Sequence, residues 1–298
     1  MTILYFMKLS SKANLYLAFA TLMWGVTFPI TRNALTEVDP FVFVSLRFVI
    51  ATLVLLPLVY SIFYRTTKPI LLGSLIIGIL NAVAYLCQTI GLETVSSARA
   101  AFITGSSVIF VPFIAPFFKL DKPTHLDFVC ALLGFIGLYV LTDIRHLHIN
   151  SGDLWVFIGA ISFSFQITYL QRLTQVIQDY KLLAFYQVFF TVPFVSLLTK
   201  GHDFSSVFQP KAMIGILFCA IFATSFAYYL QNKYQKFTSA PKAALIFALE
   251  PVFASLFGFL INRELIYKTT IYGGLLLLLS LVLPSLVSMV RQSSPPIK

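Results

Sequence analysis

Charge is what this sequence has least of. Only 11% of its 298 residues are Asp, Glu, Lys or Arg, against about 25% in a soluble domain. With 58% apolar residues and a mean hydropathy of +0.88, the shortage excludes an ordinary water-soluble fold. One core cannot absorb that much apolar surface, so lipid must be its main solvent. Acidic residues are scarcer still, 11 against 21 basic, for a net charge of +10. The basic excess forms no compact patch interleaved with aromatics, so nucleic acid is not an expected partner. Lys and Arg held in cytoplasmic loops account for it. The three cysteines, Cys87, Cys130 and Cys219, lie inside apolar segments. Without paired C-x-x-C spacing or loop positions they imply packing, so no metal and no cofactor is expected. The G-x-x-x-x-G-K-[ST] pattern of a P-loop ATPase is missing. All four histidines (His125, His146, His148, His202) fall in or beside loops, and no H-E-x-x-H occurs. A membrane-embedded enzyme is therefore a distant alternative, and a scaffold or sensor has no loop long enough to dock a partner. The N-terminus has no long apolar run before a small-residue cleavage site, so no removable signal peptide is expected.

What the chain does have is ten apolar segments of spanning length, at 13–32, 41–63, 70–92, 98–118, 126–142, 153–170, 182–199, 212–232, 243–261 and 269–290. The joining loops are short, the longest lying around His146 and Phe204, and the tail RQSSPPIK is polar. No room is left for a soluble catalytic domain.

The stretch from Tyr228 to Glu264 repeats one that stands 143 residues earlier, from Tyr85 to Asp121. Ala84, Tyr85, Gln88, Ser96, Ala100, Ala101, Ile103 and Phe110 recur as Ala227, Tyr228, Gln231, Ser239, Ala243, Ala244, Ile246 and Phe253. Arg99 faces Lys242, and Asp121 faces Glu264. Chance apolar matches would not extend to the Gln, Ser and basic positions. The expected fold is an all-α polytopic membrane protein of ten transmembrane helices in two five-helix repeats, 13–142 and 153–290. Five is odd, so the second copy must enter the membrane upside down. Glu93 against Lys236, a charge reversal in the matching turns, fits that inversion. With both termini cytoplasmic, thirteen Lys and Arg fall inside, seven outside, and Arg47 lies within a span.

The candidate site residues are the polar groups at depth. Glu250, followed at once by Pro251, is the acidic residue in the middle of a span. A charge there costs at least ~2.5–3.5 kcal/mol, so it faces the bundle interior or binds a proton. It reads either as a substrate-amine or proton-coupling group, or as a structural carboxylate held by backbone donors near Pro251. Arg47 is a possible charge partner for an acidic group or a substrate carboxylate; it can equally snorkel to the external interface. Asn81, Tyr85 and Gln88 share one helical face, and Tyr228 and Gln231 repeat its last two members. Such a duplicated stripe points into a shared cavity or serves interhelical hydrogen bonding. Trp24, followed by Gly25 and Pro29, is deep for a tryptophan and reads as cavity-lining or packed. Ser162, Ser164, Gln166 and Thr168 form a further polar cluster without distinctive spacing, and the Ser/Ala-rich entries to the repeated spans read as close-packing surfaces.

The Trp24-Gly25-x-x-Phe28 motif, the Ser/Ala-rich entries to the fourth and ninth spans, and Leu249-Glu250-Pro251-Val252-Phe253 running to Arg263-Glu264 together resemble the EamA family of the drug/metabolite transporter superfamily. The likeness runs from about Asn14 to Pro284. It implies two inverted repeats, cytoplasmic termini and alternating access by a carrier of small metabolites, chiefly an exporter, in a bacterial inner membrane. The first copy departs from the pattern, with Ser107-Val108 where the second has Glu250-Pro251. Any charge-coupled role therefore rests on the second copy. The expected solutes are amino acids or related amphipathic or zwitterionic compounds. The alternative is import of a nucleotide-like or sulfonium cofactor such as S-adenosylmethionine. Expected partners are that solute, protons as a coupling ion, and the bilayer; monomer and homodimer both stay open.

Overall fold

A computed structural model describes residues 2–120, 122–142, 150–263 and 265–293. Asp121, Glu264, Arg145, His146, His148 and the last five residues lie outside the described residues. Among those described, regular structure is helical throughout, with no strand. The helices are α1 (Thr2–Ala34), α2 (Pro40–Val59), α3 (Lys68–Leu92), α4 (Ser97–Gly105), α5 (Ser107–Ile114), α6 (His125–Thr142), α7 (Ser151–Val176), α8 (Tyr180–Ser196), α9 (Pro210–Phe218), α10 (Ala227–Tyr234), α11 (Ala240–Phe247), α12 (Glu250–Asn262) and α13 (Lys268–Ser293). Eight stretches are long and apolar enough to cross a membrane. Three of these are composite: α4 runs on into α5, α9 into α10, and α11 into α12. Two further apolar helices, α6 and α13, pack on each other. Leu53, Ile76, Phe117, Leu198, Leu260 and Leu275 stand exposed on the outer faces, an apolar surface that needs lipid.

Local chemistry explains where helices start. Asp39 caps α2 by accepting from Phe41 N at 2.8 Å, with Pro40 preset for the first turn. Asn150 and Asp153 form a reciprocal capping box at the head of α7. Ser96 accepts from Arg99 N, and Ser239 accepts from Lys242 N. The serine that recurs in both repeats is thus a helix cap, a more specific role than close packing.

The fourth and ninth spans are both broken at the same register point. The first breaks at Ser106 (ψ −12°) between α4 and α5, and the second at Leu249 (ψ −9°) between α11 and α12. The causes differ. Ser106 Oγ donates to Ile103 O at 2.6 Å, whereas Pro251 brings no backbone donor to the ladder. Both spans then end on a left-handed residue, Lys119 (φ 55°) and Arg263 (φ 56°), one residue out of the repeat's register. The eighth span alone is wound as a π-helix over Cys219–Phe226; its counterpart in α3 is regular α-helix.

Helix pairings exchange when the halves are swapped. The third span (α3) packs on α7 as the eighth (α9, the π segment and α10) packs on α1. α1 packs on α12 as α7 packs on α4 and α5, while α2 meets α8 and α6 meets α13. The α1–α12 crossing is close because position 25 is glycine. A Cβ there would stand 2.4 Å from Phe253 Cβ and 3.0 Å from Glu250 O.

Candidate substrate cavity

The broken spans and the paired third and eighth spans bring polar groups to the middle of the bundle. Glu250 is the first residue of α12, because the helix breaks just before it. The residue is buried, at 8% exposure, and no hydrogen bond or ion pair reaches its carboxylate from the described residues. The backbone donors near Pro251, one possible anchor, do not hold it. The adjacent helix N-terminus offers only the diffuse favourable field of the peptide dipoles.

Glu250 lines a narrow cavity together with Trp24, Tyr85, Gln88, Tyr228 and Gln231. About 40 Å³ of it is open to the centres of water molecules, room for a few waters and no metabolite. Trp24 is fixed by its indole N–H, which donates to Ala223 O in the π segment at 2.8 Å. The ring meets Tyr228 and Phe247 edge-on, at 6.1 and 5.1 Å between centroids. The Tyr228 hydroxyl donates to Asn81 Oδ1 at 3.0 Å and lies 3.2 Å from the Tyr85 hydroxyl. Asn81 therefore stands behind the wall, holding Tyr228. Gln88 Nε2 donates to Thr104 Oγ1 at 3.0 Å.

Arg47 does not reach out to an interface; it is 2% exposed. Its Nε donates to Thr224 Oγ1 at 2.8 Å, and its guanidinium carbon lies 4.4 Å from the centre of the Tyr85 ring. One guanidinium nitrogen, Nη2, is buried without a hydrogen-bond partner. The cation is thus held by a ring face and one hydroxyl, off the cavity and with no carboxylate bonded to it.

The model of the EamA-like transporter family matches residues 11–143 and again 150–286. The chain belongs to that family. It is 31% identical to an uncharacterized transporter of Archaeoglobus fulgidus over 278 residues, 92% of this chain and 86% of that one. The Bacillus subtilis uncharacterized transporter YoaV is 24% identical, over 89% of this chain and 94% of its own. A crystal structure only 18% identical in sequence shares the fold, with a TM-score of 0.75 over 95% of this chain and 99% of the other. The protein is a multi-pass membrane transporter.

The transporter has a second, wider hollow of about 470 Å³ at one end of the bundle. Ala115 and Leu120 line it from one side, Gln171 and Gln175 of α7 from another, and the turn from Lys236 to Pro241 from a third. Two bonds tie α7 to the end of the eighth span between hollow and cavity: Gln235 Nε2 to Ile167 O at 2.7 Å and Gln171 Nε2 to Thr238 O at 2.9 Å. At the opposite end, Arg99 at the head of α4 is paired with Asp153 at the head of α7.

Several cavity residues escaped the sequence: Thr27, Phe28, Thr104, Phe163, Gln166 and Phe247. The polar cluster of α7 held a usable signal. Ser164 and Thr168 donate to carbonyls of their own helix and Ser162 to Leu80 O, as short hydroxyl side chains do. Gln166 is too long to do so, and it alone of the four lines the cavity.

Proposed function

We propose that this transporter is a secondary carrier of small metabolites, amino acids or related amphipathic and zwitterionic solutes, working by alternating access and chiefly as an exporter. On this reading the eight long spans together with α6 and α13 make ten, in two inverted five-helix repeats, 13–142 and 153–290. The exchanged helix pairings and the two broken spans at one register point support the repeat. The Lys and Arg distribution supports cytoplasmic termini, and a bacterial inner membrane is the location the family resemblance implies. The substrate would meet Trp24, Tyr85, Gln88, Tyr228, Gln231 and Glu250, with Asn81 holding the wall and Arg47 and Glu250 as the charged groups.

One observation carries the reading: a buried glutamate with no partner among the described residues, lining an aromatic-walled cavity between the two halves. A carboxylate that costs several kcal/mol at depth and holds none of the described residues is explained by a cationic nitrogen or a proton that comes and goes. A polyanion would want several Lys or Arg at depth, and among the described residues only Arg47 is buried there. Purified protein in liposomes tests the proposal. Labelled amino acids or amphipathic amines should exchange across the membrane chemically unchanged. Preference for phosphorylated metabolites, or conversion of the solute, would defeat it.

A further inference from the structure

Gln88 and Gln231 hold the same place in the two repeats, yet their surroundings differ. Gln88 Nε2 is engaged by Thr104 Oγ1; the position matching Thr104 in the second repeat is Phe247, which has no hydroxyl. Gln231 is 1% exposed, and its carbonyl oxygen Oε1 has no hydrogen-bond partner. Gln166, 2% exposed, leaves its amide nitrogen Nε2 equally unpartnered. Both residues line the cavity beside Glu250. Other buried amides also have open atoms, Gln187 and Asn81 among them, but these do not line it. Buried polar atoms are nearly always bonded. Gln231 Oε1 and Gln166 Nε2 are thus buried without a partner, and with Glu250 they belong to side chains that line one space, all three from the second repeat.

We propose that Gln166 and Gln231 are the specificity-determining pair of this cavity, reading the polar edge of an α-amino-acid-like solute. The Gln231 carbonyl and Glu250 would accept from its ammonium, and the Gln166 amide would donate to its carboxylate. The cavity would have to widen from its water-sized form to admit the solute, whose side chain would then lie against Trp24 and Phe247. Gln88, whose amide nitrogen is engaged by Thr104, is not part of this pair. The inference rests on the carrier reading and assigns the recognition within it.

The test uses labelled leucine exchange in proteoliposomes. Unlabelled leucine, leucinamide, 3-methylbutylamine and 4-methylpentanoate serve as competitors. In the wild type, leucine should outcompete the amine lacking the carboxylate. Gln166→Leu should weaken leucine about tenfold while leaving 3-methylbutylamine as before, because a site built to bond a group rejects solutes only through that bond. Gln231→Leu should weaken both leucine and the amine, whereas Gln187→Leu, at a buried amide off the cavity, should leave their ratio unchanged. Gln166→Glu, close to isosteric, covers the case in which Gln166→Leu does not fold. Its carboxylate should turn preference from leucine towards the bare amine. Wild-type selectivity in the folded Gln166 and Gln231 variants overturns the inference alone. Exchange of none of the four solutes by the wild type removes the carrier reading, and the inference with it.

Discussion

Arg99 and Asp153 are paired across the heads of α4 and α7, at the end of the bundle opposite the wide hollow. The carboxylate also accepts from Asn150 N at 2.7 Å, so it is locked into its own helix cap as it holds the arginine. Beside the pair the backbones are close: a Cβ on Gly152 would meet Gly91 O at 2.9 Å. That end is shut by charge and by packing, whereas near the wide hollow two side-chain bonds tie α7 to the chain after α10.

Breaking the pair should therefore favour opening at the closed end. Asp153→Asn keeps the shape and the cap but loses the charge, removing on the order of 1–3 kcal/mol from the closed form. A single cysteine replacing Phe163 in the cavity should then react faster with an impermeant reagent added from outside. Arg99→Gln, which removes the other charge and leaves the cap, should give the same faster labelling. Equal rates in all three proteins would mean that the ion pair does not hold the end shut.

Glu250 gives a second prediction. Glu250→Gln keeps volume and the head of α12, and no protein bond to the carboxylate is there to be lost. The variant should fold with a melting temperature at or above that of the wild type, since a costly buried charge disappears. Transport, or its dependence on pH, should be abolished. Lowered expression and melting temperature with retained pH dependence would instead make the carboxylate structural.

Spans were legible in the sequence because lipid imposes one rule on all of them, and helix lengths follow bilayer thickness. Residues 13–32 and 70–92, for instance, fall within α1 and α3. The repeat was legible where polar residues recur, and Ser96 and Ser239 turn out to cap equivalent helices. What stayed hidden depends on rotation about a helix axis. The π segment at Cys219–Phe226 turns the eighth span by local hydrogen-bond choice, with Thr224 and Ser225 bonding five residues back to Cys219 O and Ala220 O. No composition signal marks it. Gln166 stayed hidden among hydroxyl residues, and the inward turn of Arg47 depends on a ring 38 positions on in the chain.

Topology is checked most directly at Glu93 and Lys236. Glu93 caps the end of α3, and Lys236 lies in the short 3-10 turn Gln235–Phe237 after α10. Under inverted repeats these matching turns lie on opposite faces of the membrane. Single cysteines at the two positions should label from opposite sides in intact cells, Glu93→Cys from outside only. Labelling of both from the same side would remove the inversion.

Arg47 distinguishes a charged group used in transport from one that merely fills space. Its guanidinium is buried, bonded to Thr224 Oγ1 and stacked on Tyr85, with Nη2 left open. The stacking contributes about 2 kcal/mol when desolvated, against a desolvation cost of several kcal/mol for the cation. Arg47→Met fills similar volume without the charge, so the folded protein should melt no lower than the wild type. If the positive charge balances Glu250 or the solute during the cycle, exchange should nonetheless fall by about tenfold or more. Arg47→Lys keeps the charge but loses the planar stack and the five-donor fork, so it should retain part of the exchange lost in Arg47→Met. Wild-type exchange in a stable Arg47→Met protein would leave the arginine no role in transport. A lower melting temperature with exchange intact would make it a packing residue of the α2–π contact.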